Sequence, residues 1–120
     1  MDVPDALYDR ARELARSRTC DTYGNVGDLI HLDMQKPADR RTIGVMLSEI
    51  NRYEDEENRP LLSAVVVRKG KCKPSNGFYR SAVELLKMDP FRGRLFWQSE
   101  KATRFWEAEL RRVHDYWSRH

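Results

Sequence analysis

The chain has 120 residues, of which 40% are apolar and 34% charged, and its formal net charge is +3. This length predicts a single domain with its own hydrophobic core, and the apolar content argues against intrinsic disorder. No apolar stretch approaches membrane-spanning length, so we expect no membrane partner. The two cysteines, Cys20 and Cys72, predict free thiols in a reducing cytoplasm, with one disulfide as the alternative.

Two helices are predicted in the first part of the chain. The first spans Pro4 to Arg18, because proline and acidic residues suit its first turn and its apolar residues recur at helical spacing. The second is shorter and spans Tyr23 to Ile30, with Asp21 or Thr22 as its N-cap residue. The glycines of this second helix weaken it and indicate close packing against a neighbour.

A third helix is predicted to begin at Pro37, and apolar residues between Ile43 and Ile50 form one stripe along it. We expect it to fray into an acidic run, Glu54, Asp55, Glu56 and Glu57. Four consecutive acidic residues are typical of a solvated loop. Metal coordination is the alternative, but consecutive residues on an extended loop do not converge on one ion, so no metal site is expected.

The only continuous apolar run, Leu61 to Val67, contains three consecutive valines and follows Pro60. Its length, its β-branched residues and its flanking turn residues predict a strand that is buried on both faces. A short buried helical segment is the alternative. Because such a strand needs cover on both faces, we expect the surrounding helices to pack on a small sheet.

A turn-rich basic segment, residues 68–77, follows the predicted strand. Asn76-Gly77 within it predicts a tight turn. The next helix is expected from Tyr79 to Met88, and Asp89-Pro90 would end it. The basic segment is therefore interpreted as a small β wing between the strand and this helix.

The last helix is predicted to span Glu100 to Trp117, with Ser99 as its N-cap residue. Its apolar face includes Trp106 and Trp117 at helical spacing. Such an aromatic stripe is typical of a helix that is docked on the domain core. Its extent leaves a homodimer or partner interface as the alternative.

The order of these elements is that of a winged helix-turn-helix, in which one helix enters the major groove of double-stranded DNA. The predicted fold class is therefore α+β and mostly helical. It comprises a winged helix-turn-helix core at residues 22–79 with a small β wing, and a helical extension at 80–120 that carries the long C-terminal helix. Basic residues occur where DNA contacts would be made, namely Lys36, Arg40 and Arg41 at the third helix and Arg68, Lys69, Lys71 and Lys73 on the wing.

Three short motifs within residues 22–79 carry a family resemblance. Thr-Tyr-Gly-Asn-Val-Gly at 22–27 is similar to the Thr-Tyr-Gly-(Asp/Glu)-(Ile/Leu)-Ala motif of O6-alkylguanine-DNA alkyltransferases and alkyltransferase-like proteins. Arg-Thr-Ile-Gly at 41–44 resembles that family's Arg-Ala-Val-Gly, and Gly77-Phe78 its Gly-Phe or Gly-Tyr. The stretch from Pro60 resembles the strand that leads to the family's active site. The whole chain also resembles small proteins of bacteria, phages and mobile elements.

The resemblance implies roles for two residues and excludes one activity. Tyr23 matches the family's phosphate-contacting tyrosine, and Arg41 matches the arginine that enters the base stack when a damaged base is flipped out. The family's Pro-Cys-His-Arg would fall at Ala64-Val65-Val66-Val67, so the nucleophilic cysteine and its histidine are absent. We therefore expect a protein that is not an enzyme and needs no cofactor.

Two functional hypotheses remain. The first is DNA binding through Tyr23, the third helix and the basic segment. In the structural alternative to it, Tyr23 is a core residue, Arg41 pairs with acids such as Asp39, and the basic segment is a plain soluble turn. The second is a protein-interaction module of a phage or mobile element that binds a host complex, with an interface of Glu54, Asp55, Glu56, Glu57, Trp106 and Trp117. One continuous positive face would favour the first, and an acidic loop that overhangs the third helix the second.

Overall fold

The computed structural model describes all 120 residues and is mostly helical, as predicted, with one small sheet. The five helices are α1 (Asp5–Arg16), α2 (Tyr23–Asp28), α3 (Pro37–Glu56), α4 (Asn76–Leu85) and α5 (Glu100–Trp117). The two strands, β1 (Asp21–Thr22) and β2 (Val66–Val67), pair in parallel. Two 3₁₀ turns lie at Leu62–Val65 and Phe96–Gln98.

Side-chain caps begin α2 and α5 where the sequence predicts them. Thr22 Oγ1 accepts a hydrogen bond from the backbone N–H of Asn25 at 3.2 Å. Ser99 Oγ accepts one from the backbone N–H of Ala102 at 3.1 Å. Each bond satisfies a donor that the first turn of a helix otherwise leaves without a partner, so these two helix starts are determined locally.

The predicted close packing of α2 is confirmed at one of its glycines. A β-carbon placed on Gly27 would lie 3.1 Å from Met34 Cε and 3.3 Å from the carbonyl oxygen of Leu32. A β-carbon on Gly24 would meet only Thr22 Oγ1, at 3.9 Å. Gly27 therefore lets the chain that follows α2 fold back against the helix, whereas Gly24 has no comparable neighbour.

The central apolar run lies in the core, but the predicted strand is wrong for most of its length. The segment Leu62–Val65 forms a 3₁₀ turn, and only Val66 and Val67 pair with β1. The run is nevertheless buried from end to end, and Ser63 is its only polar residue. Burial thus follows from the composition of the run, while its backbone conformation does not.

Side chains from two helices replace the missing neighbouring strands of this run. The Glu109 carboxylate on α5 accepts a hydrogen bond from the backbone N–H of Leu61 at 2.9 Å. Asn51 Oδ1 on α3 accepts one from the backbone N–H of Ser63 at 3.0 Å. Trp106 Nε1 donates to the Ala64 carbonyl at 3.0 Å. Because buried backbone groups need partners, these three contacts allow a compact turn where a strand was expected.

The acidic run is not a frayed loop. It continues α3 through Glu56, and Glu54 is fully buried. The Glu54 carboxylate accepts hydrogen bonds from the Tyr8 hydroxyl on α1 and from Arg59 Nε. Because these partners compensate the buried charge, α3 can continue to Glu56 with the Glu54 side chain in the core.

The predicted β wing is also wrong, because residues 68–77 contain no strand. The segment is a loop that closes on itself, with the backbone N–H of Arg68 donating to the Lys73 carbonyl at 2.8 Å. Asn76 and Gly77 are the first residues of α4 rather than a tight turn. The basic segment therefore leads directly into a helix.

The aromatic face of α5 packs on the core. Trp106 and Trp117 are 8% and 6% exposed, and the helix lies against α1 and the central run. The interpretation of this stripe as core is confirmed for the two tryptophans. None of the five helices combines the length and the apolar character that crossing a bilayer would require.

Candidate nucleic-acid interface

A groove with a volume of about 940 Å³ lies between α3, Arg68 and the start of α4. Its lining includes two glutamates, Glu49 and Glu84. It also includes five arginines, Arg40, Arg41, Arg52, Arg68 and Arg80. These charged residues give the groove a net charge of +3, which equals the formal charge of the whole chain. We call this surface the arginine groove.

Most of this positive charge is not neutralised within the protein. Arg52 Nη1 lies 2.5 Å from Glu49 Oε1, and Arg52 Nη2 lies 3.7 Å from Glu84 Oε1. Both glutamates of the groove are therefore paired with the same arginine. The other four arginines of the groove form no ion pair, whereas six of the seven ion-paired arginines of the chain lie outside it. The arginine groove is therefore lined by four arginine side chains that have no carboxylate partner.

Two of these arginines lie side by side at the start of α3. The Arg40 guanidinium donates to the carbonyl of Met34 at 2.9 Å, which holds it beside the α2–α3 connection. Arg41 is exposed and forms no hydrogen bond with its side chain. The alternative in which Arg41 pairs with Asp39 is wrong, because Arg41 forms no ion pair. The Asp39 carboxylate instead accepts a hydrogen bond from the backbone N–H of Asp33 at 2.8 Å.

Tyr23 connects α2 to the start of α4. Its hydroxyl accepts a hydrogen bond from the backbone N–H of Ser75 at 3.1 Å and lies 2.9 Å from Ser75 Oγ. Burial raises the pKa of the Tyr23 hydroxyl, and the ring packs against the hydrophobic core. Tyr23 thus packs as a core residue, as the alternative to DNA contact predicts. Its hydroxyl also holds Ser75, the residue that precedes α4.

The first turn of α4 faces the arginine groove without a side-chain cap. Ser75 occupies the N-cap position, but its hydroxyl bonds to Tyr23 instead of to the helix backbone. Asn76 and Gly77 line the groove at this end of the helix. The free backbone N–H groups and the helix dipole place partial positive charge there, which adds to that of the arginines.

The structure brings together some of the predicted DNA-binding residues and not others. Arg40, Arg41 and Arg68 line the arginine groove. Tyr23 and Lys69 line a second cavity of about 690 Å³, which shares Arg40 and Arg68 with the groove. Three of the predicted residues line neither cavity, namely Lys36, Lys71 and Lys73.

Two arginines of the groove were missed at the sequence level. Arg52 lies eleven residues after Arg41 on α3, which is about three helical turns, so helical spacing alone places both on one face. Arg80 lies on α4, and its place in the groove depends on the packing of α4 against α3. The first could have been predicted from periodicity, whereas the second required the tertiary arrangement.

The residues of the predicted protein interface do not form one surface. Glu54 is fully buried, and the two tryptophans of α5 are only 8% and 6% exposed. The three remaining acids, Asp55 to Glu57, lie at the C-terminal end of α3. None of the four acids lines the arginine groove, so the acidic run does not form part of its wall.

Other chemical groups are dispersed over the molecule. No three His, Cys, Asp or Glu side chains lie close enough together to hold a metal ion. Cys20 and Cys72 are both unpaired, so the alternative disulfide is not formed. Cys20 is partly buried, which raises the pKa of its thiol, and Cys72 is exposed.

No model of a known protein family matches this chain, and neither a curated protein nor a solved structure does.

Proposed function

We propose that this protein binds double-stranded DNA through the arginine groove and catalyses no reaction. The observation that carries the proposal is the set of four groove arginines that lack a carboxylate partner. A guanidinium offers several N–H donors in a plane that matches phosphate oxygens, and phosphate contacts supply most of the affinity in protein–DNA complexes. The uncapped start of α4 provides further backbone donors of the kind that bind phosphate.

The exposed face of α3 supports the same proposal. Beside Arg41 it presents Thr42 and Val45, and Val45 is 65% exposed. An α-helix of this kind fits the major groove, where apolar groups contact thymine methyls and arginine reads guanine. The order α2, connection, α3 supports a helix-turn-helix mode of binding, with the basic loop in place of the β wing.

A binding role without catalysis agrees with the chemistry at the core. The residues at 64–67, where the resembling alkyltransferases carry Pro-Cys-His-Arg, are an alanine and three valines and hold no nucleophile. Ser63 is the nearest hydroxyl, but it is only 3% exposed and accepts a hydrogen bond from Asn51 Nδ2 at 2.8 Å. A buried and hydrogen-bonded hydroxyl of this kind is a packing group.

The proposal is tested by fluorescence anisotropy of a labelled duplex of random sequence at several salt concentrations. With three to four phosphate contacts, we expect the logarithm of the binding constant to fall with the logarithm of salt concentration at a slope of roughly −3 to −4. Arg41→Ala should weaken binding by about 1–3 kcal/mol. Arg68→Ala should weaken it as well and reduce the magnitude of the slope by about 1.

The control variant is Arg111→Ala, which removes the same charge from an exposed position of α5 outside the arginine groove. We expect its affinity to stay close to that of the wild type. Equal losses in all three variants would mean that net charge alone attracts DNA, which would refute the groove as the site. Absence of binding at low salt would refute DNA binding altogether.

A further inference from the structure

An apolar pocket, distinct from the two cavities described above, adjoins the arginine groove. It has a volume of about 260 Å³ and is lined by Tyr79, Val83, Pro90, Phe91 and Phe96 together with two charged residues of α4. Those two residues, Arg80 and Glu84, also line the arginine groove. Because they lie four residues apart on one face of α4, a single helix wall separates the cationic groove from the apolar pocket.

The aromatic rings of this pocket form a preorganised surface. The rings of Phe91 and Phe96 are nearly parallel, at 16°, with centroids 5.8 Å apart. Tyr79 meets both edge-on, with centroid distances of 5.3 and 5.7 Å. The Tyr79 hydroxyl donates to the carbonyl of Ala102 on α5 at 3.3 Å, which anchors the cluster to the core. Phe91 and Phe96 remain partly exposed, so flat apolar area is available without rearrangement.

Given the proposed DNA binding, on which this inference rests, we propose that the pocket binds an unpaired base of a strand whose phosphates lie in the arginine groove. The ligand class is thus DNA that carries a single-stranded segment next to a duplex. Phosphates and bases of one strand lie side by side, as the groove and the pocket do on the two sides of Arg80. A base within a duplex is covered on both faces, whereas an unpaired base can stack on aromatic side chains.

The test uses three labelled probes that share one duplex: a blunt duplex, the duplex with a short thymidine overhang, and the duplex with an overhang of abasic residues. The abasic overhang keeps every phosphate and lacks only the bases. We expect the thymidine overhang to bind about 5- to 150-fold more tightly than the abasic one, as stacking of one base predicts.

Phe91→Leu should remove this preference, because leucine keeps apolar volume in the pocket but has no flat face. Affinity for the blunt duplex should stay unchanged in this variant. Phe105→Leu is the matched control. The ring centroids of Phe105 and Phe91 are 5.8 Å apart, but Phe105 does not line the pocket. This variant should keep the wild-type preference for thymidine.

The three probes separate failure of this inference from failure of DNA binding. Equal affinities for the thymidine and abasic overhangs, with measurable binding to the blunt duplex, would refute the base pocket and leave the arginine groove intact. No binding to any probe would refute both. Loss of the preference in Phe105→Leu as well as in Phe91→Leu would show that only the integrity of the aromatic cluster matters, which would also overturn the proposal.

Discussion

The ion pair between the buried Glu54 and Arg59, whose side chain is 18% exposed, gives the sharpest prediction about stability. Glu54 is 0% exposed, and its carboxylate is held by Arg59 Nε and the Tyr8 hydroxyl. Arg59→Ala leaves a buried carboxylate with the tyrosine as its only side-chain partner. It also removes the stacking of the guanidinium over Tyr53 and Trp117, at 5.4 and 5.6 Å from the ring centroids. Both losses act on the folded state.

The expected cost of Arg59→Ala is about 3–5 kcal/mol, the range for breaking a buried ion pair by removing one member. This is a large part of the roughly 5–15 kcal/mol that stabilises a domain. The measurement is urea denaturation followed by circular dichroism, with the free energy of unfolding extrapolated to water. Arg59→Lys should cost less, because it keeps the charge but loses the planar guanidinium.

Arg104→Ala is the matched control for this prediction. Arg104 pairs with Glu100 on the surface of α5, where the two side chains are 76% and 74% exposed. Exposed pairs contribute about 0–1 kcal/mol, so this variant should unfold with nearly the wild-type free energy. If Arg59→Ala and Arg104→Ala destabilise the protein equally, burial of Glu54 does not make its ion pair more important than an exposed one.

Three further predictions concern other parts of the fold. Gly44→Ala should raise the free energy of unfolding by about 0.5–1 kcal/mol, because glycine weakens a helix interior and the added β-carbon would meet no atom within 4 Å. Gly27→Ala should lower it, because the added β-carbon would lie 3.1 Å from Met34 Cε. Both are measured by urea denaturation. Asn51→Ala should cost about 1–3 kcal/mol in the same assay, because the buried backbone N–H of Ser63 loses its acceptor. Burial raises the pKa of Tyr79 from 10.0 to about 12. Its neutral form therefore contributes stability below pH 10 that is lost as the pH rises toward 12, and denaturation over this range should show a smaller loss in Tyr79→Phe.

The elements whose starts depend on neighbouring residues in the chain were predictable. Thr22 and Ser99 cap α2 and α5 through bonds to residues three positions ahead, and Pro37 begins α3. Periodicity likewise predicted the buried stripes of α1 and α5. The fold class, mostly helical with a small sheet, follows from these local signals. The candidate site was predicted only in part, through Arg40, Arg41 and Arg68.

The errors about the central run and the acidic run share one physical cause, which is contact between residues far apart in the chain. The central run is a 3₁₀ turn because Asn51, Trp106 and Glu109 satisfy its backbone, and no local pattern reports partners 12 to 48 residues away. Glu54 can be buried because its carboxylate accepts a hydrogen bond from the hydroxyl of Tyr8, which lies 46 residues earlier in the chain. A run of acids by itself is indistinguishable from a solvated loop.

By itself, the sequence determined where most helices begin, which residues are apolar enough to be buried, and where arginines are concentrated. Those properties depend on composition and on spacings of a few residues, which the chain carries in any conformation. Only the tertiary structure decided that α4 packs across α3 and thereby adds Arg80 to the groove and places the aromatic pocket beside it. Such an arrangement arises from the packing of separate elements, so it exists only once the chain has folded.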